Sequence, residues 1–395
     1  MVTDKEKTIR PVILCFVSYY LPGYKSGGPV RTIANMIEYL GDEFDFHIVT
    51  RDRDLLDIKS YENVLVDSWN TVGNVKVFYA SKKSMTLYGV AQLLQNNSYD
   101  TLYLNSFFDF NFTILPLLAL RMRLTPRCAT VIAPRGELSV GAIALGRFKK
   151  KSFLFLSGVL GLYKGLCWQA SSEFEKNDIN RELGNLSPRV NIAEDLASKI
   201  NPKQLAANAI PARNPGPLRL IFLSRISPMK NIDYLLCLLR RVIEPVQLSI
   251  FGPIEDKDYW CKCKMLMQKL PPNIVVRYKG DLKPEQVHLT FSQYDVFAFP
   301  TRGENFGHVI FESLSAGTPV IVSDQTPWEV DVNSALTVVP LNDQDGWTKK
   351  IEDWAHLSAN DFHKSRKEAL IYATNYYTNN KSVEHNRQLF LLRKT

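Results

Sequence analysis

The sequence is poor in the features that mark secreted, metal-bound or membrane-spanning chains. Its six cysteines, Cys15, Cys128, Cys167, Cys237, Cys261 and Cys263, are scattered over 395 residues. Only Cys261 and Cys263 are close, and no second Cys or His pair stands at zinc spacing. This argues against a zinc module and for reduced thiols in a cytosolic protein. No window of 18 apolar residues occurs, so no transmembrane helix is expected. The amino-terminal stretch carries charges and runs straight into a strand-like segment without a small-residue cleavage site, so no signal peptide is expected. Solenoid-type repeats, disordered bias and DNA- or RNA-binding signatures are also lacking.

What remains is an ordinary globular composition, with 45% apolar and 22% charged residues. The length exceeds one usual core and suits two domains. The net charge of +8 is concentrated. Between Asn111 and Ala170 stand nine basic residues and one acid, Glu137, so the rest of the chain is neutral overall. The same stretch contains the apolar runs ILPLLALRMRL and FKKKSFLFLSGVLGLYKGL. Basic and apolar character together suit an anionic membrane surface, although helices with solvated Lys and Arg would read the same way.

Strand-like and helix-like runs alternate throughout, which indicates an α/β protein with parallel sheets and crossover helices. Strands are expected at Pro11–Tyr20, Phe44–Thr50, Val75–Ala80, Thr101–Ser106, Cys128–Pro134, Leu166–Ser172 and Val190–Ala193. A stretch rich in Pro, Asn and Ala, Asn201–Pro217, reads as a linker. The alternation restarts with LRLIFLSR and continues through VQLSIFG, IVVRYKG and DVFAFP. Two doubly wound halves joined by one linker are the expected architecture.

Ligands of such sheets bind beyond the carboxyl ends of the strands, so three loops matter. After the first strand, Gly27 and Gly28 allow close backbone approach beside a helix whose first turn carries Arg31. The G-x-G-x-x-G fingerprint of dinucleotide binding is absent, which weighs against a dehydrogenase. After LRLIFLS come Arg225 and Lys230, two cations that suit a diphosphate, one as a planar fork and one as a point charge. The third loop follows DVFAFP. Asn305, Phe306 and Gly307 form the turn into an apolar helical segment, Phe306–Ala316, whose first N–H groups lack intrahelical partners. Glu304 and Glu312 flank this junction and are spaced to reach different parts of one ligand. A dipole-favouring acid and a solvated acid would give the same pattern.

RGENFGHVIFESLSAGTPVI resembles the Glu–seven residues–Glu motif of retaining, nucleotide-sugar-dependent glycosyltransferases of the GT-B fold, within the large family 4 group. SRISPMKNIDYLL resembles the donor-diphosphate segment of that family, and SGGPVRTIANMIEYL its amino-terminal glycine loop. APRGELSVGAIALGRFKKKSFL is similar to a segment of bacterial polysaccharide-assembly members. The resemblance implies two Rossmann-like doubly wound domains facing a central cleft, with a carboxy-terminal helix crossing back to the first. On that basis, 1–205 would bind the acceptor, 206–370 the donor, and 371–395 would return to the first domain.

The resemblance also implies roles. Arg225 and Lys230 would neutralise the donor diphosphate, Glu312 would hold the ribose, and Glu304 would face the transferred sugar. The backbone of Asn305, Phe306 and Gly307 would hold sugar hydroxyls, and Gly27 and Gly28 would close on the phosphates. Acceptor contacts are expected near Arg135, Gly136 and Glu137. No metal or other cofactor is implied, only a UDP- or GDP-sugar as donor. The acceptor would be a glycan or a lipid-linked saccharide. A cytoplasmic enzyme of surface polysaccharide assembly, on or near the inner membrane face, is expected, without a nucleic-acid partner. Two places depart from the family: Asn105 and Gln169 stand where many members carry histidines. A nucleotide-sugar epimerase on the same fold and a non-catalytic partner subunit therefore remain alternatives.

Overall fold

In the computed structural model, residues 10–184, 189–199, 216–330, 335–378 and 381–391 are described. They form two compact units. One comprises residues up to Gly23, Thr32–Leu196 and Ser382 onward, and the other Tyr24–Arg31 with Ala197–Lys381. The expected linker, Asn201–Pro217, lies outside the described residues apart from Gly216 and Pro217.

The first unit is built on eight strands: β1 (Val12–Phe16), β2 (Asp45–Arg51), β3 (Trp69–Val72), β4 (Val75–Ala80), β5 (Thr101–Leu104), β6 (Ala129–Ile132), β7 (Cys167–Ala170) and β8 (Val190–Ile192). Their order in the sheet is β3-β4-β2-β1-β5-β6-β7-β8. All pairs are parallel except β3–β4, a hairpin turned at Gly73. Alternation along β1 places Leu14 and Phe16 in one apolar cluster and Ile13 and Cys15 in another. Side chains alternate across a strand, so this sheet is buried on both faces, as a doubly wound fold requires. Helices α1 (Gly28–Leu40), α2 (Leu87–Gln95), α3 (Leu115–Arg121), α4 (Val140–Ala144), α5 (Arg147–Val159) and α6 (Glu173–Leu183) follow the strands.

The second unit has six strands, all parallel: β9 (Leu218–Leu223), β10 (Val246–Phe251), β11 (Ile274–Tyr278), β12 (Val296–Phe299), β13 (Val320–Ser323) and β14 (Leu336–Val339). The order β11-β10-β9-β12-β13-β14 runs outward in both directions from β9 and β12. The chain reverses its winding there, and the loops after those strands diverge to opposite faces and leave a crevice. Helices α7 (Ile232–Leu239), α8 (Lys257–Met267), α9 (Pro284–Ser292), α10 (His308–Ser315), α11 (Gln344–His356) and α12 (Ala359–Thr378) cover this sheet. Every residue of β12 is buried, which explains its unbroken apolar sequence.

The carboxy-terminal segment divides between the units. The aromatic stripe at Tyr372, Tyr376 and Tyr377 belongs to the second unit, where Tyr376 packs against Trp328, Phe306 and Phe311. Of the 371–395 segment, the part up to Lys381 is thus grouped with the second unit. The following helix, α13 (Ser382–Phe390), is the part that joins the first unit. There Asn386 donates to the Glu194 carbonyl at 2.7 Å, and Phe390 packs edge-on against Phe44, Phe46 and Tyr103.

Candidate active site

The two strands at the winding reversal of the second unit, β9 and β12, are hydrogen-bonded neighbours. Their following loops therefore meet, and they bring Lys230 to Glu304. The Lys230 ammonium donates to a Glu304 carboxylate oxygen, and the Thr301 hydroxyl lies 3.1 Å from that same oxygen. Each member of the ion pair exposes only about a tenth of its side chain. Backbone and amide bonds fix the two loops to each other. Arg302 N–H donates to the Met229 carbonyl at 2.8 Å, and Asn231 donates to the Pro300 carbonyl at 2.9 Å. Asn231 also accepts from Arg302 Nε at 2.9 Å. Asn231, Thr301 and Arg302 are thus supports that motif reading missed. The asparagine at the start of α7, held at a φ of 63°, was the available signal, since Asn tolerates that region.

Arg225 lies five residues before Lys230 and has a different partner. It donates to Glu255 at 2.8 Å, from the loop that follows β10. Gly252 opens that loop at a φ of 124°, and a Cβ there would fall 1.9 Å from the Ser224 carbonyl oxygen. Only glycine lets the β9 and β10 loops lie this close, and that contact sets the backbone from which Arg225 projects. Loops from three adjacent strands, β10, β9 and β12, thus contribute Glu255, Arg225, Lys230 and Glu304.

The turn from β12 into α10 is tighter than its apolar pattern suggests. The helix starts at His308 rather than Phe306, because Gly307 takes a φ of 79° and interrupts the helical path. The Phe306 ring is buried against His308 and Trp328, and its carbonyl accepts from the Trp328 indole. Glu312 falls one turn into α10. Its carboxylate pairs with Arg31 at 3.0 Å, and Arg31 belongs to the same compact unit. Burial pushes the Glu312 pKa upward, and the Arg31 charge works against that shift.

Gly27 has a φ of 68°, and α1 begins at Gly28. A Cβ on either glycine would meet nothing within 4 Å, so the backbone there is uncovered.

In the first unit, Arg135 and Glu137 are engaged internally. Arg135 pairs with Asp195 and donates to the Tyr103 hydroxyl and to Asn105 Oδ1, the latter at 3.0 Å. Gly136 N–H donates to Glu175 at 2.6 Å. Glu137 accepts from the Phe107 and Phe108 amides, both at 2.8 Å, and from Ser106 Oγ at 2.9 Å. Burial pushes its carboxyl upward in pKa while those donors pull it down. Asn105 and Gln169, the positions lacking histidine, are also buried and bonded. Asn105 donates to Cys15 Sγ at 3.3 Å, and Gln169 donates to the Ala193 carbonyl at 2.7 Å. A further cluster stands at the carboxyl ends of β1, β2 and β5. Asp109 accepts from Ser18 at 2.5 Å and pairs with Arg51 at 3.3 Å. Strand-end position alone could have found these residues; no short motif marks them. Among the described residues, no group of three or more His, Cys, Asp or Glu side chains is placed to hold a metal ion.

Residues 205–374, which carry Arg225, Lys230, Glu304 and Glu312, match the family described as glycosyl transferases group 1. This segment is therefore similar to that family. Most of the chain is similar to an uncharacterized 41.2 kDa protein in the cps region of Klebsiella pneumoniae, 22% identical over 86% of this chain and 93% of that one. A shorter stretch is similar to the O-antigen chain mannosyltransferase B of Escherichia coli, 28% identical over 32% of this chain and 33% of that one. In structure it is similar to HepE of Anabaena in complex with UDP and glucose, with a TM-score of 0.68 and 14% identity over 96% of this chain and 98% of that one. The chain therefore has the GT-B fold, with two Rossmann-like α/β units.

Proposed function

We propose that the protein is a retaining glycosyltransferase that moves a hexosyl group from a nucleoside-diphosphate sugar to a glycan or a lipid-linked acceptor. The observation that carries this reading is the meeting of Lys230 and Glu304 at the winding reversal of a unit similar to group 1 glycosyl transferases, with Arg225 on the adjoining loop.

In this reading the donor diphosphate lies against Arg225, Lys230 and the amino end of α10, and competes with Glu255 and Glu304 for the two cations. Glu304, released from Lys230, accepts hydrogen bonds from the transferred sugar, and Glu312 accepts from the ribose hydroxyls. Amides at Asn305 to Gly307 serve the sugar, and the uncovered backbone at Gly27 and Gly28 serves the phosphates. The bond from the anomeric carbon to the diphosphate oxygen breaks, and the acceptor oxygen bonds to that carbon on the same face. The acceptor's proton passes to the departing diphosphate oxygen. Such a step needs no side-chain base, consistent with the internally bonded Asn105 and Gln169. Catalysis then rests on positioning and on charge stabilisation of the leaving group. With two side-chain cations on the diphosphate, transfer is proposed to be metal-independent, so a chelator should leave the rate unchanged.

UDP- and GDP-sugars are the proposed donors, with the HepE complex favouring UDP. Similarity to proteins of a cps region and of O-antigen synthesis supports a role in surface polysaccharide assembly, whether O-antigen, capsule or exopolysaccharide. Work at the cytoplasmic side of a membrane, with the basic 111–170 segment toward it, follows from that role. The acceptor would meet the first unit near Arg135, Gly136 and Glu137, through the loop that their internal hydrogen bonds hold in place.

The test is sugar transfer or donor hydrolysis by Glu312→Ala and Arg225→Ala. Each variant should lose on the order of a hundredfold in rate, about 3 kcal/mol of stabilisation. Unchanged turnover in both would remove the site assignment. An epimer formed from the nucleotide sugar alone would favour an epimerase instead, and absence of any nucleotide binding would favour a non-catalytic subunit.

A further inference from the structure

Helix α5 has two apolar sides, and the protein uses only one. Leu154 and Ser157 are buried, and Phe153 packs against Phe107 and Phe108 at ring distances of 6.1 and 5.7 Å. That side anchors the helix. The opposite side carries Phe148, Phe155 and Val159, with relative exposures of 86%, 76% and 70%. At roughly 100° per residue these three fall within an arc of about 40°. Leu156 and Leu160 continue the surface at 54% and 65% exposure. Solvated helices do not leave two phenylalanines and a valine aligned on their outer face without a use for them.

Charge identifies what covers the stripe. Lys149 and Lys151 flank it on opposite sides, both exposed, and Arg147 precedes it. Glu137, the single acid of the 111–170 segment, is half-buried, and its oxygens are taken up by backbone amides and Ser106. Lys151 is matched by Glu182 at 2.6 Å, while Arg147 and Lys149 have no ion-pair partner among the described residues. An aromatic stripe between flexible cations is the pattern of a helix lying in a lipid headgroup region. There the rings enter the acyl boundary and the amines reach anionic headgroups. No helix among the described residues is long and apolar enough to cross a membrane, so this contact is lateral. A second copy of the chain is disfavoured as occupant, because pairing would oppose two basic surfaces.

We infer that α5 is an interfacial helix that inserts Phe148, Phe155 and Val159 into an anionic bilayer. The location, though not the insertion, rests on the proposed role in polysaccharide assembly. Insertion would place the enzyme in the layer where a lipid-linked acceptor resides.

The test uses the full chain and co-sedimentation with phosphatidylcholine vesicles, with and without phosphatidylglycerol. Wild type should pellet with the anionic vesicles and be released as salt rises. The double variant Phe148→Ser/Phe155→Ser should partition more weakly, on the order of a hundredfold. Lys149→Glu should weaken binding to anionic vesicles only. Nucleotide binding, read by calorimetry without vesicles, should be unchanged in these variants, which separates failure of the membrane contact from failure of the glycosyltransferase reading. The inference is overturned if wild type stays in the supernatant with anionic vesicles, or if the double variant pellets as wild type does. It is equally overturned if sedimentation velocity shows a dimer that Phe155→Ser dissolves.

Discussion

Lys230 and Glu304, 74 residues apart in the chain, form one ion pair on adjoining loops, with the ammonium donating to the carboxylate. Neither residue is well solvated, so each depends on the other. A buried pair of this kind adds little stability over an apolar pair, but losing one partner strands the other charge. Its expected use is exchange, with a diphosphate taking the cation and a sugar taking the carboxylate.

Lys230→Ala should therefore damage both folding and function. Leaving Glu304 without its cation should cost about 3 kcal/mol of stability, seen as a lower Tm by circular dichroism. Lys230→Ala/Glu304→Ala should regain much of that stability without regaining transfer. Equal melting of the single and double variants would show that the pair is not coupled.

Gly252→Ala tests whether backbone approach positions Arg225. A Cβ 1.9 Å from the Ser224 carbonyl oxygen cannot be accommodated in place, and the φ of 124° is hostile to any side chain. A loss of roughly 1–3 kcal/mol is expected from the conformation alone, with a rise in the Kd for UDP measured by calorimetry. Wild-type affinity in a folded Gly252→Ala protein would detach Arg225 from the diphosphate.

The strand alternation was legible in the sequence because parallel central strands such as VFAF are continuously apolar, and Lys230 and Glu304 could be singled out because their loops belong to recognisable motifs. The hairpin strand β3 was not, since WNTV lies at an edge with half-exposed side chains and no apolar run. The start of α10 was misplaced by two residues. Phe306 looked helical because it is apolar, but its ring serves the aromatic cluster around Trp328 while Gly307 bends the chain. The partners of the α12 tyrosines, such as Trp328 for Tyr376, were not legible for a similar reason. An apolar face declares that it is buried and says nothing about which partner buries it. The support around Lys230, from Asn231, Thr301 and Arg302, depends on loops far apart in sequence and had no local pattern.

Glu312 should make donor binding depend on pH. Burial raises its pKa in the folded chain above the ordinary value of 4.5. The protonated form is thus favoured by folding. Its stabilising contribution is full below the ordinary value and is lost as pH rises through the raised one. Ribose binding needs the ionised form, so the affinity for UDP should strengthen with pH across that same window. Glu312→Gln should flatten the profile and weaken binding roughly tenfold near neutrality. A Glu312→Gln profile parallel to wild type would place the titration elsewhere.

Gln169 should prove structural. It joins the Ala193 carbonyl, Tyr103 and Asn386, so Gln169→Ala strands buried polar groups at a cost of about 1–3 kcal/mol. The Tm should fall, while the transfer rate well below melting stays at the wild-type level. A rate collapse without a change in Tm would give this position a direct part in the chemistry.

The central claim is that the loops after β9 and β12 hold a nucleoside diphosphate through Lys230 and Arg225. A thermal-shift panel of UDP- and GDP-sugars on wild type, Arg225→Ala and Lys230→Ala addresses it most directly, because a donor that binds only the folded chain raises its melting temperature. One nucleotide sugar should raise the Tm of wild type and leave both variants where they melt alone. Full-sized shifts in both variants, or no shift in wild type with any nucleotide sugar, would contradict the account.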